Sequence, residues 1–167
     1  MKISTRRLAV SALLLALDVL FVRVLALNTP VMKIGIAFCA MAYGPWWAAL
    51  VSALGDLLGS VLFPTGAYFP GFTLTAALTG LIFGLVLYKR PAGLARAALA
   101  AALNCVLVSY LANSALIAFI SGAAYTALLA TRAVQLAVML PVQCAVIYLL
   151  GRAKPVRDIL DKISENP

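Results

Sequence analysis

The chain has no histidine, only five acidic residues among 167, and three cysteines set far apart. The absence of histidine removes the commonest general base and metal ligand, and with scattered cysteines it argues against a zinc or haem protein. Cys39, Cys105 and Cys144 are odd in number and sit in apolar segments. They therefore mark neither a disulfide framework nor a metal site, and read as packing residues. Neither a GxxxxGK[ST] loop nor a GxSxG elbow occurs, so the chain is not expected to hydrolyse ATP. With no acid-base constellation in view, it reads as a binding protein rather than an enzyme, without cofactor or metal.

Charge is scarce as well. Only 11% of residues are charged while 65% are hydrophobic, and the mean hydropathy is +1.07. A soluble domain is about half apolar and a quarter charged, and could not cover this much apolar surface. The chain is therefore expected to be an all-α integral membrane protein. A spanning helix takes about 20 residues, so this length limits the count to about six crossings in one domain, residues 1–167.

The apolar stretches are punctuated by proline and glycine. They predict helices over about residues 8–27, 31–43, 45–63, 70–88, 94–120 and 123–150. The first follows Lys2, Arg6 and Arg7 as a signal peptide would, but exceeds the roughly 7–15 residues of such a core and is read as retained. The second is short, which fits a tilted, partial or lipid-shielded helix. No period repeats and no linker intervenes, so a six-helix bundle is the economical architecture.

The net charge of +8 could indicate nucleic acid, yet no solvated face exists to carry it. Lys2, Arg6, Arg7, Lys89, Arg90, Arg96, Arg152, Lys154, Arg157 and Lys162 instead fall at the termini and in the loop after segment four. The opposite loops carry only Lys33, just beyond the first of them. The positive-inside rule then sets both termini in the cytoplasm of a multi-pass plasma-membrane protein.

Five ionisable residues remain within or beside apolar segments: Asp18, Arg23, Lys33, Asp56 and Arg132. Each costs roughly 2.5–3.5 kcal/mol at a helix centre on insertion scales, so each is a functional candidate. Arg23, Lys33 and Arg132 all fall in the outer half. Tyr110 and Asn113 share that depth on segment five, and Gln135 follows Arg132 by one turn. The stretch 64–73 adds Tyr68, Phe69, Phe72 and Thr73 on a rigid turn suited to covering a flat ligand. Cations with aromatic rings point to an anionic, aromatic small molecule. The competing readings are snorkelling for Arg23 and Lys33, a structural pairing of Arg132 with Asp18 or Asp56, and an interfacial belt for Tyr68 and Phe69. Asp56 reads as a helix-packing partner rather than a ligand contact.

Small residues also recur four apart: Ala12 with Ala16, Ala49 with Ala53, Gly55 with Gly59, and Gly80 with Gly84. Such pairs let helices approach closely in lipid.

The stretch Phe63-Pro64-Thr65-Gly66-Ala67-Tyr68-Phe69-Pro70-Gly71-Phe72-Thr73-Leu74-Thr75-Ala76-Ala77-Leu78-Thr79-Gly80 resembles the loop and following helix of a known family. That family comprises the substrate-binding S components of energy-coupling-factor (ECF) vitamin transporters, and the likeness is strongest to its folate-specific branch. Gly44-Pro45-Trp46-Trp47, Asp56-Leu57-Leu58-Gly59, Asn113-Ser114-Ala115-Leu116 and Arg132 support it, and Ala12 and Ala16 match the family's AxxxA motif. Segment two departs from the pattern: it is shorter and carries Cys39-Ala40-Met41. Ser114 also replaces a common threonine.

The resemblance implies a six-helix subunit that takes up folate or a reduced folate from outside. Arg23, Lys33 and Arg132 would meet the carboxylates, Asn113 and Gln135 would hydrogen-bond the ligand, and Tyr68, Phe69 and Phe72 would form a lid. Ala12 and Ala16 would dock on a transmembrane coupling subunit that joins two ATPases. Another vitamin or a queuosine precursor, or a scaffold with no ligand at all, remain the alternatives.

Overall fold

Two prolines open helices, because the N–H that proline lacks would have no partner in the first turn anyway. The computed structural model describes residues 5–19, 33–63, 69–88, 93–154 and 156. Among these are six helices and no strand: α1 (Thr5–Val19), α2 (Ile34–Tyr43), α3 (Pro45–Leu62), α4 (Pro70–Leu87), α5 (Leu94–Ser121) and α6 (Tyr125–Arg152). Pro45 begins α3 and Pro70 begins α4. Four of the six, α3 to α6, are long and apolar enough to cross a membrane. At 1.5 Å per residue, the 18 residues of α3 rise about 27 Å and the 28 of α6 about 42 Å.

The helix α2 is only 10 residues long, yet five consecutive residues, Ala37 to Met41, are buried. Five residues exceed one 3.6-residue turn, so the helix is enclosed on every side. It packs against α1, α3, α4 and α6. This favours the lipid-shielded reading of the short second segment: a helix whose middle is covered by its neighbours need not match the bilayer's thickness. Ala37, Ala40 and Met41 join Ala48, Phe83, Leu87, Ala97, Ala100, Ala101 and Ile147 in the core.

The outside of the bundle is apolar. Val61, Leu74, Leu85, Phe119, Val134 and Val138 are all exposed, as suits side chains solvated by hydrocarbon. Hydroxyls on this surface bond their own helices: Ser60 donates to Leu57 O, Ser121 to Ile117 O and Thr131 to Leu128 O. Such back-bonding keeps polar hydrogens satisfied where no water is present. At the end of α6, Arg152 donates to the Tyr148 hydroxyl at 2.8 Å and stacks on its ring. A cation at a helix C-terminus complements the dipole.

The α3 and α4 pair is the most extensively packed, and glycine permits it. A Cβ on Gly80 would meet the Ala48 carbonyl, and one on Gly84 would fall on the Pro45 backbone. The small pair noted in the sequence is thus a backbone-to-backbone crossing.

Gly44 joins α2 to α3 at φ 93° and ψ 178°, a conformation essentially reserved for glycine. Its carbonyl accepts from Ala48 N–H and its own N–H reaches Ala40 O. The Tyr88 ring lies 3.3 Å from where a Cβ would stand. Gly44→Ala is therefore expected to destabilise the bundle by about 1–3 kcal/mol, as a lower melting temperature in detergent.

Candidate functional site

The start of α4 collects aromatic and hydroxyl groups. Phe69 packs edge-on against Phe72, with centroids 6.5 Å apart and planes at 81°, and against Phe119 of α5 at 6.2 Å. Its ring occupies the space beside Gly71, where a Cβ would stand 2.5 Å from it. Phe69 is thereby pinned between α4 and α5.

Thr73 and Thr75 point to opposite neighbours. The Thr73 hydroxyl donates to Asp56 Oδ2 on α3 at 2.9 Å. Asp56 thus links two helices, in keeping with its reading as a packing partner. Thr75 Oγ1 lies 2.9 Å from both Phe72 O and Asn113 Oδ1 on α5. One hydroxyl hydrogen cannot serve both acceptors. Turning the Asn113 carboxamide so that its NH2 faces Thr75 satisfies every partner.

The helix α5 changes winding in its middle. Residues Asn104–Ala112 form a π-helical stretch, ending where Asn113 N–H bonds the Val108 carbonyl five residues back. At its start Asn104 N–H is shared between the Ala100 and Ala101 carbonyls. Arg132 of α6, half-buried, directs Nη1 at the Ser109 carbonyl of this stretch at 3.5 Å. Among the described residues no carboxylate meets this guanidinium, so most of its five N–H donors stay available to a ligand. Tyr110, half-buried, stands one residue further along α5.

Lys33 caps the start of α2, half-buried and within electrostatic reach of Cys105 at the base of the π stretch. Gln135 is exposed on α6. Arg23 and Tyr68 lie outside the described residues, as does the side chain of Asp18.

Four residues that the sequence did not single out as site residues emerge here. Thr75 anchors Asn113, and a buried trio forms below them. Asn104 Nδ2 donates to Gln143 Oε1 of α6 at 3.2 Å, and the Cys105 thiol donates to the same oxygen. Amides within an apolar run are the signal that points to Asn104 and Gln143, but their 39-residue separation hides the pairing. At the opposite end, Ala12 and Ala16 are exposed on α1, while Ser11 turns inward to accept from Trp47 Nε1 at 2.8 Å. The AxxxA face is thus open on a helix secured from behind.

The family model for the ECF transporter, substrate-specific component, matches residues 6–151. The chain belongs to this family. It is therefore a substrate-specific component of an ECF transporter, a multi-pass membrane protein and not an enzyme. Among its relatives, the folate transporter FolT of Clostridium novyi (strain NT) is 35% identical over 159 residues, 92% of each chain. The folate transporter FolT of Leuconostoc mesenteroides is 29% identical, covering 97% of this chain and 93% of that one. In three dimensions the S component is similar to a crystal structure of FolT bound with folic acid, with a TM-score of 0.83 and 31% identity, over 89% of this chain and 94% of that one.

Proposed function

We propose that this S component binds folate or a reduced folate in the outer half of the bundle, between α4, α5 and α6. What supports the reading most is the likeness to a folic acid-bound FolT along nearly the whole of both chains. The chemistry agrees with it. Folate pairs an aromatic pterin with two carboxylates. Arg132, with most donors available, and Lys33 supply positive charge for the carboxylates. Phe69 and Phe72 supply faces for a flat ring. Asn113, steadied by Thr75, supplies a directed amide, with Tyr110 and Thr73 beside it. Arg23 and Tyr68 complete the proposed set. Exposed Gln135 stands at its margin.

Both termini are assigned to the cytoplasm of a plasma-membrane protein, because lysine and arginine gather at the ends and in the loop after α4. The exposed Ala12 and Ala16 face then lies toward the inner side. There it would meet the transmembrane coupling subunit, and through it two ATPases, since small residues allow close helix approach in lipid.

A vitamin panel in thermal unfolding tests the reading. Folic acid or a reduced folate at about 100 times its dissociation constant should stabilise the purified chain by about 2.7 kcal/mol, raising its melting temperature by roughly 5–10 °C. Riboflavin, thiamin, biotin and a queuosine precursor should leave it unchanged. A shift with one of those instead would reassign the ligand, and no shift with any would favour a scaffold role. Asn113→Ala should weaken folate binding by roughly three- to tenfold in an equilibrium titration, the net value of one hydrogen bond.

A further inference from the structure

The π-helical stretch of α5 is held at both ends by contacts to other helices. Its first residues, Asn104 and Cys105, both donate to Gln143 Oε1 of α6. Its last turn carries Ser109, whose carbonyl receives Arg132, and it ends at Asn113, which meets Thr75 of α4. A residue added to an α-helix turns everything beyond it by about 100°, one residue's share of a 3.6-residue turn. A π stretch contains such an added residue, and in other helices it occurs mostly at functional positions.

We infer that the Asn104–Ala112 stretch is the positioning element of the ligand site. It sets the rotation of the outer half of α5 so that Asn113 faces α4 and the Ser109 carbonyl faces Arg132, and Gln143 is the positioning residue that clamps its base. In a continuous α-helix, Asn113 would be turned by about 100° from Thr75 and Arg132 would lose its carbonyl rest. The trio at the base is buried: Asn104 is 0% and Gln143 2% exposed. Among the described residues, Asn104 Oδ1 and Gln143 Nε2 find no hydrogen-bond partner. A polar group left unsatisfied in an apolar interior is destabilising. The pair is thus retained at a cost in stability, as expected where it serves geometry.

The positioning of the ligand rests on the proposed site, whereas the rotation itself does not, so the test reads the two separately. Thr75→Cys with Asn113→Cys reports the rotation by oxidative cross-linking of positions 75 and 113, identified by peptide mass spectrometry with the native cysteines in place. Deleting exposed Leu107 removes the added residue, so plain α winding of the shortened stretch leaves Asn113 facing α4; the cross-link should persist and folic acid affinity of the otherwise unmutated chain should stay within about threefold of the parent. Inserting one alanine between Ala112 and Asn113 of the parent instead turns Asn113 by about 100°, and should abolish the cross-link and lower folic acid affinity by about 100-fold or more.

A folded deletion variant that loses both signals overturns the inference, as does a folded insertion variant that keeps both. If the deletion variant fails to fold, Gln143→Met and Gln143→Glu decide. The first removes the clamp's acceptor and should lower cross-link yield and affinity severalfold. The second, neutral at this depth, keeps an acceptor oxygen and should preserve both. Equal behaviour of the two overturns the clamp. A parent chain that cross-links as described but binds no folate would leave the rotation standing and remove the folate reading alone.

Discussion

Arg132→Ala is expected to weaken folic acid binding by about 100-fold or more, with little change in melting temperature of the ligand-free chain. The asymmetry follows from what Arg132 touches. In the free chain its hydrogen bond is a long one, 3.5 Å to the Ser109 carbonyl. Losing that bond gives up little. In the complex the same guanidinium would face a carboxylate away from water, where a charge-assisted, two-pronged bond is far stronger than a neutral one. Removing it leaves the ligand's charge unpaired, which commonly costs 2–5 kcal/mol or more. Arg132→Lys keeps the charge but not the planar fork, and should fall between the two. An unchanged affinity in Arg132→Ala would remove the residue from the site. A collapse of thermal stability would assign it a structural role instead.

Gly84→Val should have the largest effect on folding, abolishing recovery of a monodisperse protein or lowering its melting temperature sharply. The side chain would have to displace the Pro45 backbone at the start of α3, and no flexible neighbour can yield in its place. Overpacking a core ordinarily costs about 1–3 kcal/mol, and a clash with backbone exceeds that range because two helices must separate. Gly80→Val, against the Ala48 carbonyl, should behave alike. Gly93→Ser is the contrast: nothing lies within 4 Å of its Cβ, and Gly93 caps α5, where serine is favoured. It should be neutral or slightly stabilising in the same thermal unfolding series. Equal effects at all three positions would mean that close approach is not what fixes the α3–α4 crossing.

The contrast between these residues also marks what a single sequence can reveal. Pro45 and Pro70 opened helices where the pattern placed them, because proline acts through its own ring. Gly80 and Gly84 were legible as a small pair, although their partner, the start of α3, was not. The length of α2 left a tilted, a partial and a lipid-shielded helix all open, and only its packing against four other helices separates them. The π stretch left no local trace, since Asn104 to Ala112 has no residue type that demands that winding. It arises from tertiary contacts to Gln143, Arg132 and Thr75.

For the site, Arg132 and Asn113 were legible as polar groups at one depth in apolar helices, and Thr73 as part of the aromatic stretch 64–73. Thr75 was not, because a threonine can satisfy itself on its own helix. Gln135 shows the limit of helical spacing: one turn from Arg132 still leaves it offset by about 60°, and it is exposed where Arg132 is half-buried. The vitamin came from resemblance along one loop and helix, and Arg132 and the aromatic turn fit it.

The most direct measurement is an equilibrium titration of folic acid into the purified chain, without coupling subunits. The account predicts saturable binding of one folate per chain, weakened by Arg132→Ala and displaced by a reduced folate but not by other vitamins. Absence of saturable binding by the folded chain, or tighter binding of a different vitamin, would contradict it.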